Sequence, residues 1–344
     1  MSAATPILFL LLLGAAVATR AQTAAEPPLR PEDTPALPAE EVAEETAAEP
    51  EPAEPEPPPG QPVATWLEAQ VELHRRGFSC GSIDGVRGIQ TATALTAWQK
   101  NEGLRETGDL DRATKAALLI SAPALTEYAF TAEDSAATAP VPDTWLGKSE
   151  LAALRHATPL EMIAERFRAN PKLLVKLNPG VDWDDLLPAT KLVVPSAEPV
   201  LAPGRVARIH IYLADKILQA VDETGRVLLH TPVSIARNVE KRPVGELHVT
   251  VVIPDPNYTF DPAVFTEVPE AQELGRKLVI APGPNNPVGV AWIGLDRTGY
   301  GIHGTPDPEK VGRTESHGCF RLANWDARTL LRLAWVGLPV MVDE

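Results

Sequence analysis

The stretch "VARIHIYL", residues 206–213, and its later counterpart "ELHVTVVI", residues 246–253, set the period of the C-terminal part of the chain. In the first, Ile209, Ile211 and Leu213 alternate with Arg208, His210 and Tyr212; in the second, Val249, Val251 and Ile253 alternate with His248, Thr250 and Val252. A period of two is the pattern of strands that bury one face. Working outward, "VDETGRVLL" puts a turn between two further strands, and "KLVIA", "GVAWIGL" and "LPVMV" add more. One helix is expected around residues 324–334, with Asn324 as its N-cap. Residues 204–344 therefore read as a mostly β domain.

N-terminal to that domain the period becomes helical. In residues 66–119 apolar groups recur at Trp66, Ala69 and Leu73, and again with Thr91, Ala94, Leu95 and Trp98. A third helix near residues 111–119 is expected to start at Asp111 as N-cap, which gives a small three-helix domain over residues 63–120. "GSIDGVRG" supplies tight turns; Asp84 reads as a turn former, because the alternating acidic ligands of a calcium loop are missing. Residues 121–147, rich in Ala, Pro, Thr and Ser, read as a linker. Residues 148–197 follow, with a helix carrying Leu160, Ile163, Ala164 and Phe167, then "NPKLLVKLNPG" and a closing strand "KLVVP".

The first 62 residues bear on compartment. The apolar run "ILFLLLLGAAVA" has the length of a signal-peptide core and is short for a membrane span, and "ATRAQ" places cleavage after Ala21. No Lys or Arg precedes the run, and an uncleaved anchor is the competing reading. No cysteine follows the run, which argues against lipoprotein attachment. Residues 22–62 are Pro, Glu and Ala, with eleven acidic residues against the single Arg30, so ten of the fifteen net negative charges reside there. Such a segment is a disordered, semi-stiff spacer. The remainder is not basic, and nothing in it suggests a nucleic-acid partner. An integral membrane segment in the mature protein is not expected. Export to the periplasm or cell wall is.

The chemistry concentrates in "GYGIHGTPDPEKVGRTESHGCFRLANWDA", residues 299–327, which holds Cys319, one of only two cysteines in the chain. A thiol of ordinary pKa needs a neighbouring base, and both His303 and His317 are at hand. Gly318 removes a side chain beside the sulfur, so the amides of Gly318 and Cys319, with His317, can converge on a developing oxyanion. Arg321 offers a planar fork for a substrate carboxylate, against the alternative of a structural salt bridge. Other roles for Cys319 are weaker. Cys80 lies in a different domain, which argues against a disulfide. A zinc site would have only His303, His317 and Cys319 to draw on.

Three resemblances follow from these residues. His303-Gly304 followed by Ser316-His317-Gly318-Cys319-x-Arg321 resembles the signature of the L,D-transpeptidases, and the similarity runs over about residues 205–343 through "RPVGELHVT", "PNYTFDP" and "GPNNPVGVAWIGL". The Gly-x-Ile-Asp-Gly turn, Ala-Leu-x-x-x-Gln segment and Thr-Gly-x-Leu-Asp turn of residues 66–119 resemble a peptidoglycan-binding-1 module. Residues 148–197 resemble a LysM unit, a βααβ fold, although its opening strand and tyrosine are not evident in "SELAALRHAT".

The resemblances imply a multidomain α+β protein with a sandwich- or barrel-like catalytic domain. Peptidoglycan stem peptides and glycan strands would be its partners, and no metal or organic cofactor is needed. Cys319 would be the acyl-accepting nucleophile and His303 its base. The Gly304 carbonyl would orient the ring, and His317, Gly318 and Cys319 would form the oxyanion loop. Ser316 and Arg321 would contact substrate, and Tyr258 or Phe260, in an insertion at residues 256–277 that could cover the cleft, would line its channel. The activity implied is acyl transfer from a stem tetrapeptide to an amine, with water as acceptor in an L,D-carboxypeptidase alternative. A cell-wall cysteine peptidase is disfavoured because its cysteine usually precedes its histidine. A non-catalytic wall-binding protein would not need the intact signature.

Overall fold

Capping starts the first helices. The structure, a computed structural model, describes residues 60–264, 269–314 and 318–344. The signal and most of the spacer expected before residue 60, together with Ser316 and His317, lie outside these residues. Strand β1 (Gln61–Pro62) leads into α1 (Trp66–Arg75), where the Thr65 hydroxyl accepts from the Glu68 amide and the Glu68 carboxylate accepts from Ala64 N and Thr65 N. Helices α2 (Ile89–Asn101) and α3 (Arg112–Ala117) follow, the latter capped by Asp111 as expected, and β2 (Leu119–Ile120) pairs back on β1. Ala69, Leu73, Ala94, Leu95 and Trp98 meet in one core. Asp84 serves its turn, accepting from Val86 N at 2.8 Å and Gln70 Nε2 at 2.8 Å.

The segment expected as a linker is ordered. Strand β3 (Leu125–Ala129) pairs antiparallel with β4 (Lys191–Pro195), enclosing α4 (Ala132–Ala136), α5 (Trp145–Ser149), α6 (Pro159–Arg166) and α7 (Pro171–Leu177). Thr158 and Asn170 cap α6 and α7, each with proline at the start. The linker boundaries at 121–147 are thus corrected. No strand forms in "SELAALRHAT"; the partner of β4 lies upstream, where Tyr128 packs edge-on to Phe167 at 5.0 Å. Composition hid it because a single half-exposed strand shows little periodicity, and its partner arrives only after both helices.

The remaining strands are β5 (Arg208–Tyr212), β6 (Ile217–Val221), β7 (Val227–Pro232), β8 (Gly245–Pro254), β9 (Tyr258–Phe260), β10 (Leu278–Ile280), β11 (Ala291–Leu295), β12 (Gly301–His303), β13 (Phe320–Arg321) and β14 (Pro339–Asp343), with helices α8 (Pro269–Leu274) and α9 (Asn324–Leu333). Eight of them form one sheet in the order β13-β12-β11-β8-β14-β5-β6-β7. Its two edges meet where Ser234, just past β7, exchanges both backbone hydrogen bonds with Arg321 at 2.9 and 3.0 Å. The sheet curls on itself, nearer a barrel than a sandwich.

Two expectations within this domain are corrected. Along β8 the pairs run Trp292 to Ile253, Ile293 to Val252 and Gly294 to Val251, but Leu295 pairs with Val249, so Thr250 is an inserted bulge residue. The bulge inverts the alternation. Val249 is buried, whereas Val251 and Ile253 are each 38% exposed and Val252 turns toward the core. Asn324 does not cap α9; it is the first helical residue, and its side chain ties other elements together. Its Oδ1 accepts from Val290 N at 3.3 Å, and its Nδ2 donates to Glu165 Oε2 at 2.9 Å and Pro284 O at 3.1 Å.

Nor are the three regions separate beads. Ser79 N donates to His230 O and His230 N to Gly77 O, both at 2.8 Å, so residues 77–79 extend the β7 edge. Val221 and Val227 complete the core of the three-helix region, and Ser79 Oγ donates to Asp326 Oδ2 at 2.8 Å. Ile83 exchanges backbone bonds with Arg168 and Asn170. An edge strand left bare pairs readily with other backbone, and here the chain covers its own.

Candidate active site

The site grows from one parallel strand pair. In the β12–β13 register Ile302 faces Phe320 and His303 faces Arg321. Cys319 lies in the bend just before β13, beside the end of the strand pair that carries His303 and Arg321. All three line one cleft of about 780 Å³, together with Gly318, Tyr258 and Trp292. Residues sixteen apart in sequence are adjacent because β12 ends and β13 begins there.

His303 is held from two sides. Its Nδ1 lies 2.6 Å from Gly304 O, and because a carbonyl only accepts, Nδ1 carries the proton and the Nε2 lone pair is left for other work. The Trp292 ring, directly opposite on β11, stacks at 5.7 Å and 22°. Burial lowers the His303 pKa to about 4; the bond to Gly304 opposes that shift and the Arg321 charge adds to it. Glycines make the fit possible. A Cβ on Gly301 would come 2.7 Å from the Trp292 ring, and one on Gly304 would collide with Asn324 Oδ1.

The sulfur is half-buried, and Cys319 Sγ donates to Gly299 O at 3.4 Å. Burial pushes the thiol above its ordinary value, against the opposing pull of the backbone at Gly301 and of Arg321. Near neutral pH the pair is therefore thiol and imidazole rather than thiolate and imidazolium. Arg321 has its own pKa lowered by burial, and among the described residues no carboxylate lies within ion-pair distance of it. Tyr258 lines the cleft with its hydroxyl pushed up to about 12, first by burial and then by Cys319. No cluster of potential metal ligands occurs among the described residues.

Gly318, Cys319, His303, Gly304, Arg321 and Tyr258 are thus brought together, and Ser316 and His317 fall outside the described residues. Phe260, the alternative to Tyr258, is buried beneath Trp145 at 4.1 Å and does not line the cleft. Trp145 itself does, although it comes from α5, in the supposed linker. Its indole also faces Tyr258 at 5.9 Å, and the Glu270 carboxylate accepts from Trp145 N and Leu146 N at 2.8 Å. Of the insertion at 256–277, the described residues include β9, which pairs with β10 just beyond it, packs on this segment and supplies a wall of the cleft. Neither Trp145 nor Trp292 carried a local signal; one needs the tertiary docking of α5, the other the β11–β12 register.

Comparison with known proteins places these features in a family. Residues 207–342 match the family model YkuD, the L,D-transpeptidase catalytic domain, and residues 64–118 match PG_binding_1, a peptidoglycan binding domain. A Bacillus licheniformis protein named as an L,D-transpeptidase, YkuD, is 26% identical over 184 residues, covering 53% of this chain and 92% of its own length. An Escherichia coli protein named as an L,D-transpeptidase, YbiS, is 27% identical over 241 residues, covering 65% of this chain and 74% of its own. A solved L,D-transpeptidase from Mycobacterium smegmatis aligns at 18% identity and a TM-score of 0.32, over 45% of this chain and 64% of that one. On the family and sequence matches, this chain carries an L,D-transpeptidase catalytic domain behind a peptidoglycan-binding module, and it is an enzyme of that type.

Proposed function

We propose that the protein is an exported peptidoglycan L,D-transpeptidase in which Cys319 is the nucleophile and His303 its base. The observation that carries this reading is the single cleft lined by Cys319, His303 and Arg321, with the His303 ring fixed by Gly304 O so that Nε2 can accept a proton. The sulfur attacks the carbonyl of the third stem residue as its proton passes to His303 Nε2. The tetrahedral intermediate then collapses, the same proton leaves on the amine of the departing D-alanine, and a thioester remains. An acceptor amine attacks the thioester, gives its proton to His303, and the thiol is restored as the new amide forms. Amides at Gly318 and Cys319 meet the oxyanion in both halves, with His317 shaping their loop and Ser316 beside the substrate. Arg321, without a carboxylate partner among the described residues, takes a substrate carboxylate.

The apolar run near the N-terminus supports export, and among the described residues no helix is long and apolar enough to cross a membrane. The pairing of β3 with β4 around α6 and α7, with the short helices α4 and α5 inserted after β3, supports a LysM-like unit beginning at Leu125 rather than at residue 148. The test is incubation of the full chain with a disaccharide tetrapeptide and mass analysis of the products. Cross-linked dimers are expected, absent with Cys319→Ala. Tripeptide alone would make water the acceptor and the enzyme an L,D-carboxypeptidase. No turnover and no acylation would end the proposal.

A further inference from the structure

Between the peptidoglycan-binding module and the outer face of the catalytic sheet runs a second trough, remote in sequence from Cys319. One wall is a single face of α2, where Thr93, Thr96 and Lys100 recur at helical spacing. The floor is a single face of β5 and β6, where His210 pairs with Gln219 and Tyr212 with Ile217. This part encloses about 700 Å³, and a second chamber of about 400 Å³ adjoins it at Thr93, Asp215 and Ile217.

Its chemistry is neither that of a core nor that of an anion site. The half-buried His210 and Tyr212 rings lie parallel at 5.7 Å and 12°. Charges of both signs border it, Lys100 and Arg208 beside Glu106 and Asp215. In the inner chamber Gln219 Nε2 donates to His230 Nδ1 at 3.1 Å, which leaves the His230 Nε2 proton without a partner among the described residues, as is Ser82 Oγ. His230 is fully buried.

We infer that this trough binds the glycan strand of peptidoglycan, a chain of N-acetylated amino sugars whose lactyl carboxyls are held as amides, on a surface built jointly by the module and the catalytic sheet. A sugar ring offers an apolar face to an aromatic and a rim of hydroxyl and acetamido groups to mixed donors and acceptors, the two kinds of surface that the trough presents. The site rests on the reading of the protein as a peptidoglycan enzyme. It adds that the module does not bind alone, and that Tyr212 and Gln219 of the catalytic domain share the ligand.

The experiment measures binding of the full chain to soluble, peptide-free glycan strands whose lactyl carboxyls are amidated, and to free stem peptides, for wild type, Tyr212→Ala and Thr93→Trp. The second variant obstructs the place where the chambers adjoin and removes no core contact. Each is expected to weaken binding of the bare strands by about tenfold, the loss of one good aromatic contact, while Cys319 acylation by a carbapenem stays at the wild-type rate. Wild-type affinity in both variants, or binding of stem peptides but not bare strands, overturns the inference. Loss of tetrapeptide turnover in wild type would instead strike the enzyme reading, and glycan binding would still be read on its own.

Discussion

His303 sits between two demands that a single side chain has to meet, burial against Trp292 and possession of a free lone pair. Because its pKa is held near 4, it stays neutral and able to accept a proton down to mildly acidic pH. Acylation of Cys319 by a carbapenem should therefore hold level from about pH 5 to 8 and fall as pH drops through the His303 pKa. His303→Ala should slow it by about 10²-fold, with partial recovery above about pH 9 as hydroxide forms thiolate directly. Stopped-flow acylation across that range decides it; a wild-type rate that climbs with thiolate formation alone, and that His303→Ala leaves unchanged, would remove the base. Trp145 makes a separate claim. As a wall supplied from outside the family-matched domain, its loss in Trp145→Ala should raise KM for tetrapeptide about tenfold with kcat kept within about twofold, since its contact is with bound substrate and not with the reacting atoms. A fall in kcat alone would contradict that.

At the scale of the strand, β8 turns on the bulge at Thr250. Alternation read from sequence makes Val249 and Val251 equivalent, whereas the pairing buries the first and exposes the second. Val249→Ala should cost roughly 2 kcal/mol through lost burial and the space left behind, and Val251→Ala no more than about 0.5 kcal/mol. Urea denaturation of the two variants separates them, and equal losses would mean that the strand runs without its bulge. The bulge also turns Ile253 toward the cleft beside Trp292, so an irregularity in pairing shapes the site. Asn324 illustrates the same point for a helix. Its residue type and place suit a cap, yet Gly289 and Gly304 leave room for its side chain to bind the loop behind His303 instead.

For the molecule as a whole, the docking of the module on β7 makes its removal a structural event. Deleting residues 60–120 strips cover from Val221, Val227 and the His230 backbone, so the remaining chain should melt on the order of 10 °C lower, or aggregate, instead of behaving as an intact enzyme with weaker wall affinity. An unchanged calorimetric Tm would restore the picture of tethered beads. Acid should act on the same junction. Burial lowers the pKa of His74 to about 3 and of His230 to about 4, with His303 also near 4, so between about pH 6.5 and 4 the unfolded chain takes up three protons that the folded one refuses. Asp326, raised to about 6 by burial, works in the opposite sense and cancels one. Stability should then fall by roughly 2 kcal/mol per pH unit across that window, measurable by denaturant unfolding at pH 4, 5 and 6. A level profile would mean that these groups are hydrated in the native state.

Sequence by itself determined what depends on neighbours along the chain. The β and helical periods, the cap at Asp111, the turn at Asp84 and the juxtaposition of glycine, cysteine and arginine in one signature are local patterns, and each is legible because its physical cause spans only a few residues. Tertiary structure decided what depends on partners far along the chain. The strand at Leu125–Ala129 has meaning only beside Lys191–Pro195, Trp145 enters the cleft only once α5 packs on the β9–β10 pair, and the inversion at Val251 follows from pairing with β11. The module joins the enzyme through backbone bonds at residues 77–79, a pairing no local sequence pattern marks, because backbone donors and acceptors are common to almost every residue and their pairing is settled by the fold.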